Sequence, residues 1–171
     1  MFEPLFSRLD HFESPLCQRM SMWPQRPIVG GTFRVASWLG NGPAWGILIA
    51  ATLVYSEPAV GVMLLATTAI NLGLYKMLKS KTVRRRPFVF SAQVCRGGAV
   101  LDEFSFPSGH TLHAVSITTM LWSASPLLAL LLVPVTLMIA ASRVVLGLHY
   151  PSDVLAGAGL GVVVAQVILM I

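Results

Sequence analysis

Apolar residues are laid along this chain in helix-length runs, and the breaks between them carry most of its charge. Leu5, Leu9, Phe12 and Leu16 recur at spacings of four, three and four among Arg8, Asp10, Glu13 and Arg19. That spacing puts an apolar stripe along one side of a helix and charge on the other, the pattern of a helix lying in a membrane interface. Met20 to Pro27 reads as a loop, and Ile28 to Leu39, which carries Arg34, as a second helix too short to cross. Asn41-Gly42-Pro43 is a turn and helix start, with Pro43 suited to the first helical position. The apolar run from Pro43 to Ser56 has about 14 residues, or roughly 21 Å of helix against a hydrocarbon core of ~30 Å. Either Leu39 to Gly42 extends it or the bilayer thins around it. Longer runs follow: Pro58 to about Leu78, His110 to about Ser123, Pro126 to about Gly147 with a kink at Pro134, and Ser152 to Ile171.

The expected architecture is an all-α integral membrane helical bundle. It has about five transmembrane helices, or six if Ile28 to Leu39 joins the crossing. An amphipathic interfacial segment (residues 1–40) precedes the membrane-embedded domain (residues 41–171). Composition points the same way. The chain is 55% hydrophobic and 11% charged, where a soluble domain carries about 25% charged residues. Too few polar side chains exist to cover a water-facing surface, so lipid must be the solvent for much of it. The net charge is +5. The basic residues stand between apolar runs, which favours a phosphate or anionic headgroup over nucleic acid. Cys17 and Cys95 match no metal-ligand spacing. The N-terminal stretch lacks the apolar core of a secretory signal, so insertion is expected to use the internal apolar segments.

Three polar clusters carry the candidate chemistry. Lys79 to Pro87, at the end of the second apolar run, is either a basic anchor for lipid headgroups or a phosphate clamp, with Arg supplying a planar fork and Lys a point charge. Phe106 to Thr111 begins a helix with Ser108 as a cap. The first N–H groups there bind anions, Gly109 allows close approach, and His110 stands beside the anion as a proton donor. Ser142-Arg143, His149 and Asp153 flank the Pro151 break. An intramembrane Arg demands an acidic partner, a cavity or an anion. Asp153 in the first turn after Pro151 is placed to fold back onto one ring nitrogen of His149 and leave the other free to attack. The bland alternative is a buried Arg143–Asp153 pair with His149 spectating. His113 has the ordinary expectation of core or rim packing. All three clusters fall at helix ends on one side of the membrane, so one pocket can hold them together.

In their order and spacing these residues resemble the type 2 phosphatidic acid phosphatase family. Lys79, Arg86 and Pro87 match its first motif, Pro107 to His110 its second, and Ser142, Arg143, His149 and Asp153 its third, without substitution, within a resemblance spanning about Leu39 to Ile171. The resemblance implies a phosphohistidine on His149, oriented by Asp153. It implies His110 as the acid that protonates the leaving oxygen and later activates water. Lys79, Arg86, Arg143, Ser108 and the Gly109 backbone would hold the phosphoryl oxygens. No metal and no cofactor is implied. Larger relatives have a further N-terminal span, in whose place the interfacial segment is expected here.

The expected activity is metal-independent hydrolysis of a membrane lipid phosphate or pyrophosphate, such as undecaprenyl pyrophosphate, phosphatidylglycerol phosphate or phosphatidic acid. The same residues would serve a lipid phosphotransferase, and a non-catalytic lipid-binding protein would need neither histidine. The expected setting is a bacterial inner membrane. All 12 Lys and Arg residues fall on the active-site side of the five-helix arrangement, which by the positive-inside rule places the site in the cytoplasm. The resemblance implies the periplasmic face. Because the phosphate clamp accounts for several of the loop charges, the periplasmic face is the expectation taken here.

Overall fold

A computed structural model describes residues 3–55, 57–100 and 102–171, with the side chains of residues 3–5 excluded. The expected stripe residue Leu5 and the expected helix end Ser56 therefore lie outside the described side chains and residues. The described residues form α1 (Glu3–Ser21), α2 (Pro27–Leu39), α3 (Gly42–Tyr55), α4 (Pro58–Thr82), one-turn α5 (Pro87–Phe90), α6 (Gly109–Ala124), α7 (Pro126–Val145) and α8 (Pro151–Leu169), with no strand among them. A 3₁₀ turn at Trp23–Gln25 occupies the stretch read as a loop. Proline stands in the first turn of α2, α4, α5, α7 and α8, where its missing N–H has no intrahelical partner to lose.

Among the described residues, three helical segments are long and apolar enough to cross a membrane: Pro58–Phe90, Pro126–Val145 and Pro151–Leu169. Helix α3 is apolar but has 14 residues, and α6 has 16. The expected count of five crossings therefore includes two helices shorter than the hydrocarbon thickness. Helix α6 is the axis of the bundle. Its Leu112, Ala114, Ile117, Met120 and Leu121 are buried, packed against α8, α7 and α4, and Thr111, Ser116 and Thr118 are buried among them.

Around α6 the core is filled by Trp45 and Ile49 of α3, Leu64 of α4, Ile139 of α7, and Val164 and Ile168 of α8. Small residues let α6 and α8 cross closely. A Cβ on Gly157 would stand 2.6 Å from the Ser108 carbonyl, and one on Gly161 2.7 Å from the Leu112 carbonyl. Buried side-chain hydrogen bonds tie the same helix to its other neighbours: Asn71 Nδ2 donates to Ser116 Oγ at 2.6 Å, and the Thr118 and Thr136 hydroxyls stand 2.7 Å apart. Contacts of this kind substitute for the hydrophobic drive that lipid cannot supply between helices. Ile47, Val62, Leu127, Leu131, Leu137 and Leu155 face outward, as a lipid-solvated bundle requires.

Helix α1 turns part of its expected apolar stripe outward and its acidic residues inward. Phe12 and Leu16 are exposed, while Asp10, Glu13, Ser14 and Cys17 are buried against the protein. Helix α2 packs on α7. Two left-handed residues shape the site. Val83 (φ 51°) terminates α4 and turns the chain into the arginine run, and Gly147 (φ 69°) makes the turn after α7. A Cβ on Gly147 would meet the Cys95 carbonyl at 2.5 Å, so both the dihedral and the space call for glycine there.

Candidate active site

The clusters separated in sequence meet at one end of the bundle. The last turn of α4 carries Lys79, and the chain beyond Val83 delivers Arg84 and Arg86. The start of α6 carries Ser108, Gly109 and His110, the last turn of α7 carries Arg143, and the turn into α8 carries His149 and Asp153. A backbone hydrogen bond from Ser108 N to the Asp153 carbonyl, 3.0 Å, joins the α6 start to the first turn of α8. A cavity of about 570 Å³ opens among them, lined by Lys79, Arg86, Gly109, His110, Arg143 and His149 from the sequence expectation. It continues as an apolar groove between α3 and α4, past Trp45, Ile49, Leu53, Leu65 and Leu72.

The cations are held in place before any anion arrives. Lys79 Nζ donates to Asp102 Oδ1 at 2.6 Å and to the Phe104 carbonyl at 3.0 Å. Arg86 donates through Nη2 to the same Asp102 oxygen at 2.7 Å, through Nε to the Asp102 carbonyl at 3.1 Å, and through Nη1 to the Leu148 carbonyl at 2.8 Å. Arg143 is buried and donates from Nη1 to Ser37 Oγ at 2.5 Å, while its Nε has no partner. An unpartnered buried N–H on a cavity wall fits an oxyanion acceptor. Burial alone would push the Asp102 carboxyl up, but Lys79 and Arg86 outweigh it and hold Asp102 below the usual carboxylate range.

His149 sits at the back of the cavity and is buried. Its Nε2 stands 3.3 Å from Arg86 Nη1, and its Nδ1 3.5 Å from Asp153 Oδ2. The carboxylate expected to fold onto the ring therefore stands beside it without a closed hydrogen bond, since Nδ1 has no hydrogen-bond partner. Burial, then the charges of Arg143 and Arg86, holds His149 well below its ordinary pKa, which leaves the ring neutral and one nitrogen lone pair available. Asp153 Oδ2 also accepts from Tyr150 N at 2.9 Å, closing the first turn of α8. The bland alternative of an Arg143–Asp153 pair is not what the fold builds. Asp153 pairs with Arg84.

One sequence expectation is altered. Ser108, expected on the phosphate, is fully buried and is not among the cavity-lining residues. Its hydroxyl caps α6, 3.5 Å from Thr111 N and 2.9 Å from Thr111 Oγ1, because an N-terminal N–H in a buried helix end must find an acceptor. His113, expected in core or rim packing, lies at the cavity wall, edge-on to Tyr75 at 6.2 Å between centroids. The sequence reading also passed over Asp102, which bridges Lys79 and Arg86, and Asn41, whose Oδ1 is 2.9 Å from His110 Nε2. Asp102 belongs to the polar loop before the second motif, and Asn41 to a turn read only as a helix start, so neither carried a distinctive spacing.

Comparison with known proteins places the chain. The model of the PAP2 superfamily matches residues 60–171. A decaprenylphosphoryl-5-phosphoribose phosphatase of Mycobacterium tuberculosis is 39% identical over 68 residues, 39% of this chain and 37% of that enzyme, so the match spans little more than a third of the relative's length. An undecaprenyl-diphosphatase of Sulfolobus acidocaldarius is 27% identical over 139 residues, covering 80% of this chain and 68% of that one. Among solved structures, Aquifex aeolicus LpxE superimposes with a TM-score of 0.84 over 94% of this chain and 96% of that one, at 24% identity. A transmembrane PAP2-type phosphatidylglycerolphosphate phosphatase from Bacillus subtilis gives 0.73 over 99% and 96%, at 21% identity. At such identities the two structures speak for the shared fold. The family model runs from the third residue of α4 to the last residue and covers well over half of the sequence; the chain belongs to the PAP2 superfamily.

Proposed function

We propose that this chain is a multi-pass membrane phosphatase that cleaves a lipid-borne phosphate ester or pyrophosphate through a phosphohistidine on His149. One observation carries the reading. His149 and His110 line the same cavity with Lys79, Arg86 and Arg143, and that cavity runs on into an apolar groove between α3 and α4. A phosphate fits the cationic end and a hydrocarbon chain fits the groove.

In this reading Nε2 of His149 attacks phosphorus. A P–N bond forms as the P–O bond to the lipid breaks, and the electron pair leaves with the lipid oxygen, which takes a proton from His110. Water then attacks the phosphohistidine while His110 accepts its proton. The P–N bond breaks, its pair returns to His149, and phosphate departs. Lys79, Arg86, Arg143 and the Gly109 N–H stabilise the charge on the phosphoryl oxygens. Ser108 contributes by capping the helix that presents Gly109 and His110. Asp153 stabilises the imidazolium formed at His149. The positive charge comes from side chains, so the reading is metal-independent. Helices α1 and α2 form an interfacial segment, and the site faces the periplasmic side of a bacterial inner membrane.

The substrate class is a membrane lipid phosphate or diphosphate. The names of the relatives put polyprenyl diphosphate and phosphatidylglycerol phosphate first in a panel that also includes phosphatidic acid. The test is phosphate release by purified protein in EDTA. Wild type is expected to turn over at least one substrate, His149→Ala none, and His110→Ala to lose at least about a hundredfold. Activity lost on chelation and restored by a divalent ion would overturn the metal-free mechanism.

A further inference from the structure

We infer that Arg84, held by Asp10 and Glu13 of the N-terminal helix, positions Asp153 against His149, so that α1 is a working part of the active site. The inference rests on the proposed role of His149 and goes beyond it. Arg84, Asp10 and Glu13 had no place in the motif reading.

Arg84 has no exposed side-chain surface, and each nitrogen of its guanidinium is engaged. Nε donates to Asp10 Oδ1 at 2.9 Å. Nη1 donates to Ser152 Oγ at 2.7 Å and to Asp153 Oδ1 at 2.5 Å. Nη2 reaches Glu13 Oε2 at 2.9 Å and Asp10 Oδ1 at 2.8 Å. The faces of the guanidinium are covered by Phe6 and Tyr150, with ring centroids 4.9 and 4.2 Å from Cζ. Lysine offers no such planar fork. Glu13 also grips α8 directly, accepting from Ser152 N and Ser152 Oγ, both at 2.7 Å.

The consequence for Asp153 is geometric and electrostatic. Arg84 occupies Oδ1, and Tyr150 N and the His149 ring face Oδ2. A carboxylate held at both oxygens cannot rotate, so Oδ2 stays turned toward Nδ1 at 3.5 Å, beyond a closed hydrogen bond but near enough to favour a proton on Nδ1 and the lone pair on Nε2, which Arg86 Nη1 faces at 3.3 Å. A lone guanidinium against Asp153 would also draw off the negative charge that the imidazolium needs. Asp10 and Glu13 balance Arg84 from its other edge. The backbone pays for this arrangement: Val83 is β-branched and left-handed at φ 51°, a conformation retained only where the surroundings enforce it. It turns the chain off α4 and brings Arg84 inward, where Ser105 N holds its carbonyl at 2.9 Å.

The test uses the full chain purified in detergent, with Arg84→Ala, Arg84→Lys, Asp10→Asn and the Asp10→Asn/Arg84→Ala pair. Arg84→Ala is expected to lower kcat about a hundredfold with KM within about threefold, and Arg84→Lys to recover less than about a tenth of the wild-type rate. Asp10→Asn is expected to lower kcat about fivefold alone and to add nothing in the Arg84→Ala background, because Asp10 acts through Arg84. Additive losses, or an unchanged kcat with a lowered thermal midpoint, would show that the cluster only rivets α1 to the bundle. Spectra of protein labelled with ¹⁵N-histidine, with His149 assigned by its loss in His149→Ala, decide the question without turnover. Wild type should show the Nδ1–H tautomer at His149 and Arg84→Ala a mixture. An unchanged tautomer overturns the inference even if the phosphatase reading stands, and a wild type inactive on every substrate overturns that reading while the tautomer still decides this one.

Discussion

Replacing Asp153 by Asn separates charge from shape at the proposed nucleophile. The amide has nearly the volume of the carboxylate and occupies the same fully buried site in the first turn of α8. What disappears is the negative charge 3.5 Å from His149 Nδ1. At an effective dielectric of about 20, unit charges at that distance interact by about 5 kcal/mol. His149 starts neutral and becomes cationic as the P–N bond forms, so this attraction is felt mainly in the transition state. Partial charge development and the competing hold of Arg84 on Oδ1 remove roughly half. About 2–3 kcal/mol remains, or about 30- to 150-fold in kcat, with KM little changed because the phosphate itself touches other groups. The amide also meets donors on both sides, Arg84 at one position and Tyr150 N at the other, and the mismatch costs about 1–3 kcal/mol of stability. Steady-state phosphate release across substrate concentration, with a thermal melt on the same preparation, measures both effects. A variant that keeps kcat within threefold while the melt drops would refute the electrostatic role and leave Asp153 as a structural partner of Arg84.

Gly157→Ala is expected to lower the thermal midpoint, since its Cβ would meet the Ser108 carbonyl at 2.6 Å and push α8 from α6 at a cost of about 1–3 kcal/mol. Gly159→Ala, whose Cβ has nothing within 4 Å, should be neutral or stabilising, and equal losses from the two would contradict the packing argument. The periplasmic placement of the site is checked by a reporter fused after Ile171, at the end of α8 away from the site. Cytoplasmic fluorescence is expected there, and alkaline phosphatase activity instead would place the active site in the cytoplasm.

Much of this protein is written locally. The apolar runs and the prolines that start α4, α7 and α8 are read along the chain, because a helix in lipid closes its own backbone hydrogen bonds and needs no distant partner to exist. The site motifs are legible for a related reason: the proposed phosphate chemistry asks for particular side chains at fixed offsets on helix ends, and those offsets survive in one dimension. Lys79, Arg86, His110, Arg143 and His149 were singled out in this way and line one cavity. Pairing between clusters was not legible. Asp102 to Lys79 and Arg86, Asn41 to His110, and Asp10 with Glu13 to Arg84 join residues far apart in sequence, and nothing in the spacing of either partner names the other. The stripe of α1 shows the limit most clearly. Periodicity gave its two faces, but only the packed bundle decided that Asp10 and Glu13 turn inward while Arg8 and Arg19 stay exposed, because the buried Arg84 guanidinium is costly unless carboxylates pair with it.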